Sequence, residues 1–171
     1  MIKGGKGGAK TQVGLAFEGR VSLLSVFSKA KGYSVVGDTI RKGDKVIARS
    51  FSKNKLYKFL EEHGVDYTTV ISKKLLPDEA LYFPAQKKLF IVEIKFQEVA
   101  GSVDEKLQTC DFKKRQYLKL FKPVGIKVEY IYILNDWFKK PEYRDVLAYV
   151  NEVGCHYFFH TLPFEVLGLE S

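Results

Sequence analysis

Three side chains in the middle of this chain have the types and spacing for metal-assisted hydrolysis: Asp78, directly after Pro77, and the pair Glu93 and Lys95 on either side of Ile94. The residues between them read as a β-hairpin. LPDEALYF (76–83) and KLFIVEIKF (88–96) are rich in aliphatic and aromatic residues, and Pro84-Ala85-Gln86-Lys87 is a polar turn opened by proline. Folding about Gln86 sets Asp78 opposite Glu93, within reach of cross-strand neighbours. Strand side chains alternate faces, so Glu93 and Lys95 share one face while Val92, Ile94 and Phe96 share the other. Two carboxylates and one ammonium then converge on an otherwise apolar sheet. Such a group can hold a hard divalent cation through oxygen and position a water beside it. An exposed edge strand with solvated charges is the competing reading, but such strands rarely read L-F-I-V and I-K-F around their charges.

A Pro-Asp followed by Glu-x-Lys on successive strands resembles the PD-(D/E)XK nuclease superfamily, which includes many restriction endonucleases and Holliday-junction resolvases. The resemblance spans roughly residues 12–135. It implies a restriction-endonuclease-like α/β domain with a mixed central sheet and an αβββαβ core, residues 33–64 being a hairpin-and-helix elaboration. It also implies Mg²⁺ (or Mn²⁺) held by Asp78, Glu93 and the carbonyl of Ile94, with Lys95 orienting the attacking water. Glu18, on the first helix, would be a further catalytic carboxylate and metal ligand. Lys106 and Gln108, on the helix after the Glu-x-Lys strand, would face the scissile phosphate. The implied reaction hydrolyses a DNA phosphodiester to a 5′-phosphate and a 3′-hydroxyl. A type II restriction endonuclease or its catalytic subunit is the favoured reading. A junction resolvase and a non-catalytic DNA-binding module of the same fold are the alternatives.

The charge distribution points to the same partner. Between Lys29 and Lys58 nine basic residues face only Asp38 and Asp44, so this window carries seven of the chain's eight net positive charges. A concentrated basic surface gains from counterion release on phosphates. Arg41, Lys42, Lys45, Arg49 and Lys53 are the candidate contacts to double-stranded DNA. Cutting both strands in one encounter calls for two centres related by a two-fold axis, so a homodimer is expected, or a heterodimer with a larger specificity subunit. The aromatic-rich segment 157–169 is the expected interface.

The elements that must position these residues follow from punctuation and periodicity. At 171 residues and 46% hydrophobic content, one domain is expected, opened by a flexible glycine-rich leader over residues 1–10. Val13, Phe17, Val21, Leu24 and Phe27 are spaced for the buried face of a helix from about Thr11 to Lys29, with Thr11 as N-cap. YSVVGDTI and KVIARSF form a second hairpin across Arg41–Asp44. Ser52 caps a helix ending at Gly64, and DYTTVISK (66–73) is a strand. After Lys95, Ser102 and Glu105 form a capping box for a basic helix running to about Phe121. IKVEYIYIL (126–134) is a strand, a helix begins at Pro141, and CHYFFHTL is the last strand.

Several function classes are set aside. GGKGGAKT lacks the glycine before Lys-Thr and the preceding strand of a phosphate loop. No apolar run approaches the ~20 residues that span a bilayer, and the opening MIKGGKGGAK has no apolar signal segment, so a cytoplasmic setting without membrane partners is expected. Cys110 and Cys155 have no CxxC spacing, which argues against a zinc site or disulfide framework. His156 and His160 sit among aromatic residues and read as structural.

Overall fold

The computed structural model describes residues 14–19 and 21–170; the glycine-rich leader and the proposed Thr11 N-cap lie outside them. A mixed α/β architecture is built around a seven-stranded sheet ordered β2-β3-β4-β5-β6-β7-β8. Its strands are β2 (Tyr33–Val36), β3 (Thr39–Lys42), β4 (Lys45–Ser50), β5 (Glu79–Phe83), β6 (Lys88–Lys95), β7 (Lys127–Leu134) and β8 (His156–Phe159). Neighbours from β2 to β6 run antiparallel, whereas β6, β7 and β8 are parallel. The hairpin read from the sequence is present: Glu79 pairs with Val92 and Phe83 with Lys88, which carries Asp78 to the level of Glu93. Its turn is a 3₁₀ segment, Pro84–Gln86, closed by Lys87 in the left-handed region at φ 48°.

Strand β6 is central and covered on both faces, which explains its nearly unbroken apolar run. Leu89 and Ile91 enter a core with Leu56 and Leu60 of α2 (Lys55–Glu62), Tyr117 and Leu120 of α4 (Cys110–Phe121), and Val150 of α5 (Arg144–Glu152). Phe90, Val92 and Ile94 enter a second core with Leu23 and Phe27 of α1 (Leu23–Lys29). That second face is closed by β1 (Gly14–Ala16) paired antiparallel with β9 (Thr161–Pro163). Glu93 takes its place in the first alternation, on the α2/α4/α5 side. Among the described residues no helix is long and apolar enough to cross a membrane.

The expected helix over residues 11–29 begins only at Leu23. Leu15 and Phe17 are 1% and 2% exposed while Ala16 and Glu18 face solvent, a period of two that belongs to a strand. Gly19 then turns the chain at φ 82°, and Ser22 caps α1 by accepting the N–H of Ser25 at 3.1 Å. Residues 66–73 form no strand. The Asp66 carboxylate instead accepts the Thr68 N–H and hydroxyl at 2.9 and 2.7 Å and opens a 3₁₀ turn, Tyr67–Thr69. YSVVGDTI holds two strands, β2 and β3, because Gly37 turns at φ 60°.

Ser52 does not cap α2, which follows Asn54 without a side-chain cap bond. Ser102 likewise makes no cap bond, and the basic helix is broken into α3 (Val103–Lys106), a 3₁₀ turn at Leu107–Thr109, and α4. The C-terminal apolar residues are not spare: Leu162, Phe164 and Leu167 are 0%, 7% and 0% exposed and complete the second core. Cys110 and Cys155 are free, buried thiols within the first core, at the start of α4 and just before the last parallel strand.

Candidate active site

At the carboxyl end of β6, Lys95 bridges both acids. Its ammonium donates to Asp78 Oδ2 at 2.8 Å and to Glu93 Oε2 at 2.7 Å. The two carboxylate oxygens share one cation, so they lie no further apart than those two distances laid end to end. Exposure is graded across the cluster, at 46% for the Asp78 side chain, 14% for Lys95 and 6% for Glu93. Asp78 therefore meets solvent while Glu93 is the buried anchor. The Ile94 N–H donates to the Asp78 carboxylate. In an extended strand the N–H and C=O of one residue turn to the same edge, so the Ile94 carbonyl also faces the Asp78 side. Beyond Lys95, the chain is pinned to the end of β7: Asn135 Nδ2 donates to the Gln97 carbonyl at 2.7 Å, and the Gln97 N–H donates to Asn135 Oδ1 at 3.2 Å.

The electrostatics favour the ionised forms of Asp78 and Lys95. Burial works against the Asp78 carboxylate, but the Lys95 ammonium and the Ile94 N–H outweigh it and hold Asp78 below its ordinary range. Burial likewise works against the charged Lys95, yet Glu93 and Asp78 together raise it above the usual lysine value. Opposite charges and charge-assisted hydrogen bonds thus overcome desolvation at both partners. The hydroxyls of Tyr117, Tyr130 and Tyr132 are pushed up chiefly by burial, and they also feel the Glu93 charge. They remain neutral around the buried carboxylate. The Tyr132 hydroxyl donates to the Lys106 carbonyl at 3.2 Å, which fastens α3 over the same face.

Asp78, Lys95 and Ile94 open onto a hollow of about 420 Å³, which Lys53, Ser22 and Glu79 also line. Sequence reasoning misses Glu79. Its carboxylate is half-buried and accepts the Leu23 N–H; burial raises its pKa. The available signal is its place beside Asp78, since alternation turns it to the α1 face. Glu18 is not on a helix. It follows β1 and lines a separate hollow with Val21 and Ser25, so it is not brought into the cluster. Helix α1 itself, LLSVFSK, has no acidic residue.

The basic candidates divide by position. Ser50 and Arg49 pair with Leu81 and Tyr82 of β5, which sets Arg49 toward the hairpin-turn end of β5, where it lies over the Phe51 ring at 5.7 Å. Arg41, Lys42 and Lys45 flank the β3–β4 turn at the other end of β4, about 17 Å away for a six-residue strand. Lys42 lies over Tyr33 at 5.8 Å. Lys106 is exposed on α3, close to the cluster through Tyr132. Gln108 is not: the 3₁₀ turn aims it at Val146 and Tyr149 of α5. His160 Nε2 sits 2.9 Å from Asp136 Oδ1, and His156 Nε2 3.7 Å from Glu129 Oε2, so both histidines are engaged with carboxylates.

Among the described residues no group of three or more His, Cys, Asp and Glu side chains gathers to hold a metal ion. The oxygen donors at the cluster are two carboxylates and a backbone carbonyl. They are hard ligands of the type Mg²⁺ and Mn²⁺ take. Two of them already converge on one cation, the Lys95 ammonium, so the donor set fits such an ion. No family model, no curated protein and no solved structure matches the chain.

Proposed function

We propose that the chain is a metal-dependent DNA endonuclease of the PD-(D/E)XK type. One observation carries the reading: Asp78, Glu93 and Lys95 meet within hydrogen-bond distance at the end of a buried strand, beside an open hollow. The order α1, β4, β5, β6, α4, β7 supports it once β4, which lies inside the 33–64 segment expected to be an elaboration, takes the place of the strand expected at 66–73; only β2–β3 at the sheet edge and α2 between β4 and β5 are then additions. Asp78, Glu93 and the Ile94 carbonyl are the residues that would hold Mg²⁺ or Mn²⁺, which when bound polarises a phosphoryl oxygen and lowers the pKa of its water. Asp78, half-exposed, meets the substrate side. Glu93, fixed between strand and tyrosines, holds the arrangement rigid. Lys95 orients the attacking water and offsets charge that develops on the phosphorus oxygens.

The substrate is duplex DNA, gripped through phosphates by the basic residues of β3, β4 and the loop after β4. Within the class we take the type II restriction reading, with a homodimer placing one centre on each strand. Incubation with plasmid and Mg²⁺, against an EDTA control, tests it. Discrete fragments support restriction, and cleavage confined to branched DNA moves the assignment to a junction resolvase. A gel shift without cutting reduces it to a binding module.

A further inference from the structure

The hollow beside Asp78 has an excess of acid. Asp78 and Glu79 contribute two carboxylates to its lining, while the Lys95 ammonium is already committed to Asp78 and to the buried Glu93 behind it. The Mg²⁺ or Mn²⁺ of the nuclease reading would offset part of that charge when bound, and a phosphodiester entering the hollow gains further from a side-chain cation that the carboxylates have not already engaged. Lys53 lines the same hollow. Its neighbours in the chain are engaged, Lys55 with Asp38 at 3.6 Å and Arg49 over Phe51 at 5.7 Å. Among the described residues Lys53 makes no ion pair or hydrogen bond, and it is exposed.

Its backbone is also held against its own preference. The Lys55 N–H donates to the Ser52 carbonyl at 3.2 Å, closing a four-residue turn whose first central residue is Lys53, at φ 52°. Asn54 follows at φ −73°, ψ −14°. A positive φ there is the position glycine takes without strain. Lys87, the other left-handed lysine, closes the β5–β6 hairpin at the far end of the sheet. Strain retained at a cleft that also holds a catalytic-type cluster is a pointer to use.

We infer that Lys53 is the substrate-anchoring residue of this site, its ammonium gripping a non-bridging oxygen of the nucleic-acid phosphate that enters beside Asp78. The inference rests on the nuclease reading but is tested apart from it. Affinity for a fluorescent duplex oligonucleotide in Ca²⁺ is measured against salt for the wild type, Lys53→Gly and Lys53→Arg. Each phosphate left without its cation lowers the log–log salt slope by about 0.9. The slope should fall by that amount in Lys53→Gly and stay at the wild-type value in Lys53→Arg. Because glycine suits the turn, Tm should hold or rise in the glycine variant. Lys53→Asn, which tolerates the same backbone, is the second variant should glycine loosen the loop. Where the wild type cuts, kcat/KM should drop about 10- to 100-fold, the worth of one charge-assisted hydrogen bond. An unchanged slope overturns the inference even in an active nuclease, as does a fall in Tm that alone accounts for the weaker binding. A wild type that binds but does not cut overturns the nuclease reading and leaves the slope test of Lys53 intact.

Discussion

Replacing Lys95 by Met separates what holds the cluster together from what it does. The substitution keeps the length of the side chain and removes its charge. Glu93, 6% exposed, then loses the ammonium 2.7 Å away and remains as a buried carboxylate without its counter-charge. Breaking a buried pair by removing one partner costs about 3–5 kcal/mol. For a chain of 171 residues that corresponds to a Tm lowered by roughly 6–20 °C, at about 2–4 °C per kcal/mol. Asp78, 46% exposed, contributes little to this loss because its pairing is screened by water. Thermal melts of Lys95→Met, Glu93→Gln and the double variant form a cycle in which the double variant recovers part of the deficit, since no buried charge is then left alone. The pH dependence carries a second signature. In the wild type the Asp78 carboxylate is held below its unfolded value of 3.8, so its stabilising contribution is full above that value and is lost as pH falls through the lower, folded one. A Lys95→Met protein as stable as the wild type at pH 7 would refute the reasoning that Lys95 compensates a buried Glu93 charge.

Neutralising Arg41, Lys42 and Lys45 together should weaken DNA binding and lower the log–log salt slope by about 0.9 for each phosphate no longer neutralised, with kcat of bound substrate unchanged because the β3–β4 turn is remote from Asp78; an unchanged slope shows that the turn faces solvent in the complex. Light scattering with a duplex present should report two copies of the chain, whereas a monomer that nicks one strand indicates a subunit awaiting a different partner.

The hairpin carrying the cluster is legible in the sequence because its signals agree. Proline opens the turn, both flanks are apolar, and the charges interrupt a run that otherwise reads as a buried strand. Glu93 and Lys95 have to share a face once β6 is a strand, and Asp78 has to reach their level once the turn is centred near Gln86. The first helix misleads because Phe17, Val21, Leu24 and Phe27 satisfy helical spacing while Leu15 and Phe17 also satisfy strand spacing, and Gly19 decides between them only through a backbone turn. Glu18 falls outside the cluster for that reason. Gln108 falls outside it because a 3₁₀ turn interrupts the helix and rotates the side chain toward α5. Glu79 is not legible as part of the site, because it depends on which face α1 covers. Lys53 is legible as a basic DNA contact from the charge window, but its place on the hollow depends on a positive φ that nothing in Phe-Ser-Lys-Asn-Lys announces.

The central claim is that Asp78 and Glu93 form a hydrolytic metal centre, and the most direct measurement is cleavage of plasmid by purified Asp78→Asn and Glu93→Gln beside the wild type, each with Mg²⁺, Ca²⁺ and EDTA. Ca²⁺ tolerates looser geometry and activates water less, so it should support binding but little turnover. The account predicts cutting by the wild type in Mg²⁺ alone, no cutting by either variant, and DNA affinity in Ca²⁺ that survives in both. Cleavage by either variant at close to the wild-type rate in Mg²⁺, or cleavage by the wild type in EDTA, would contradict it.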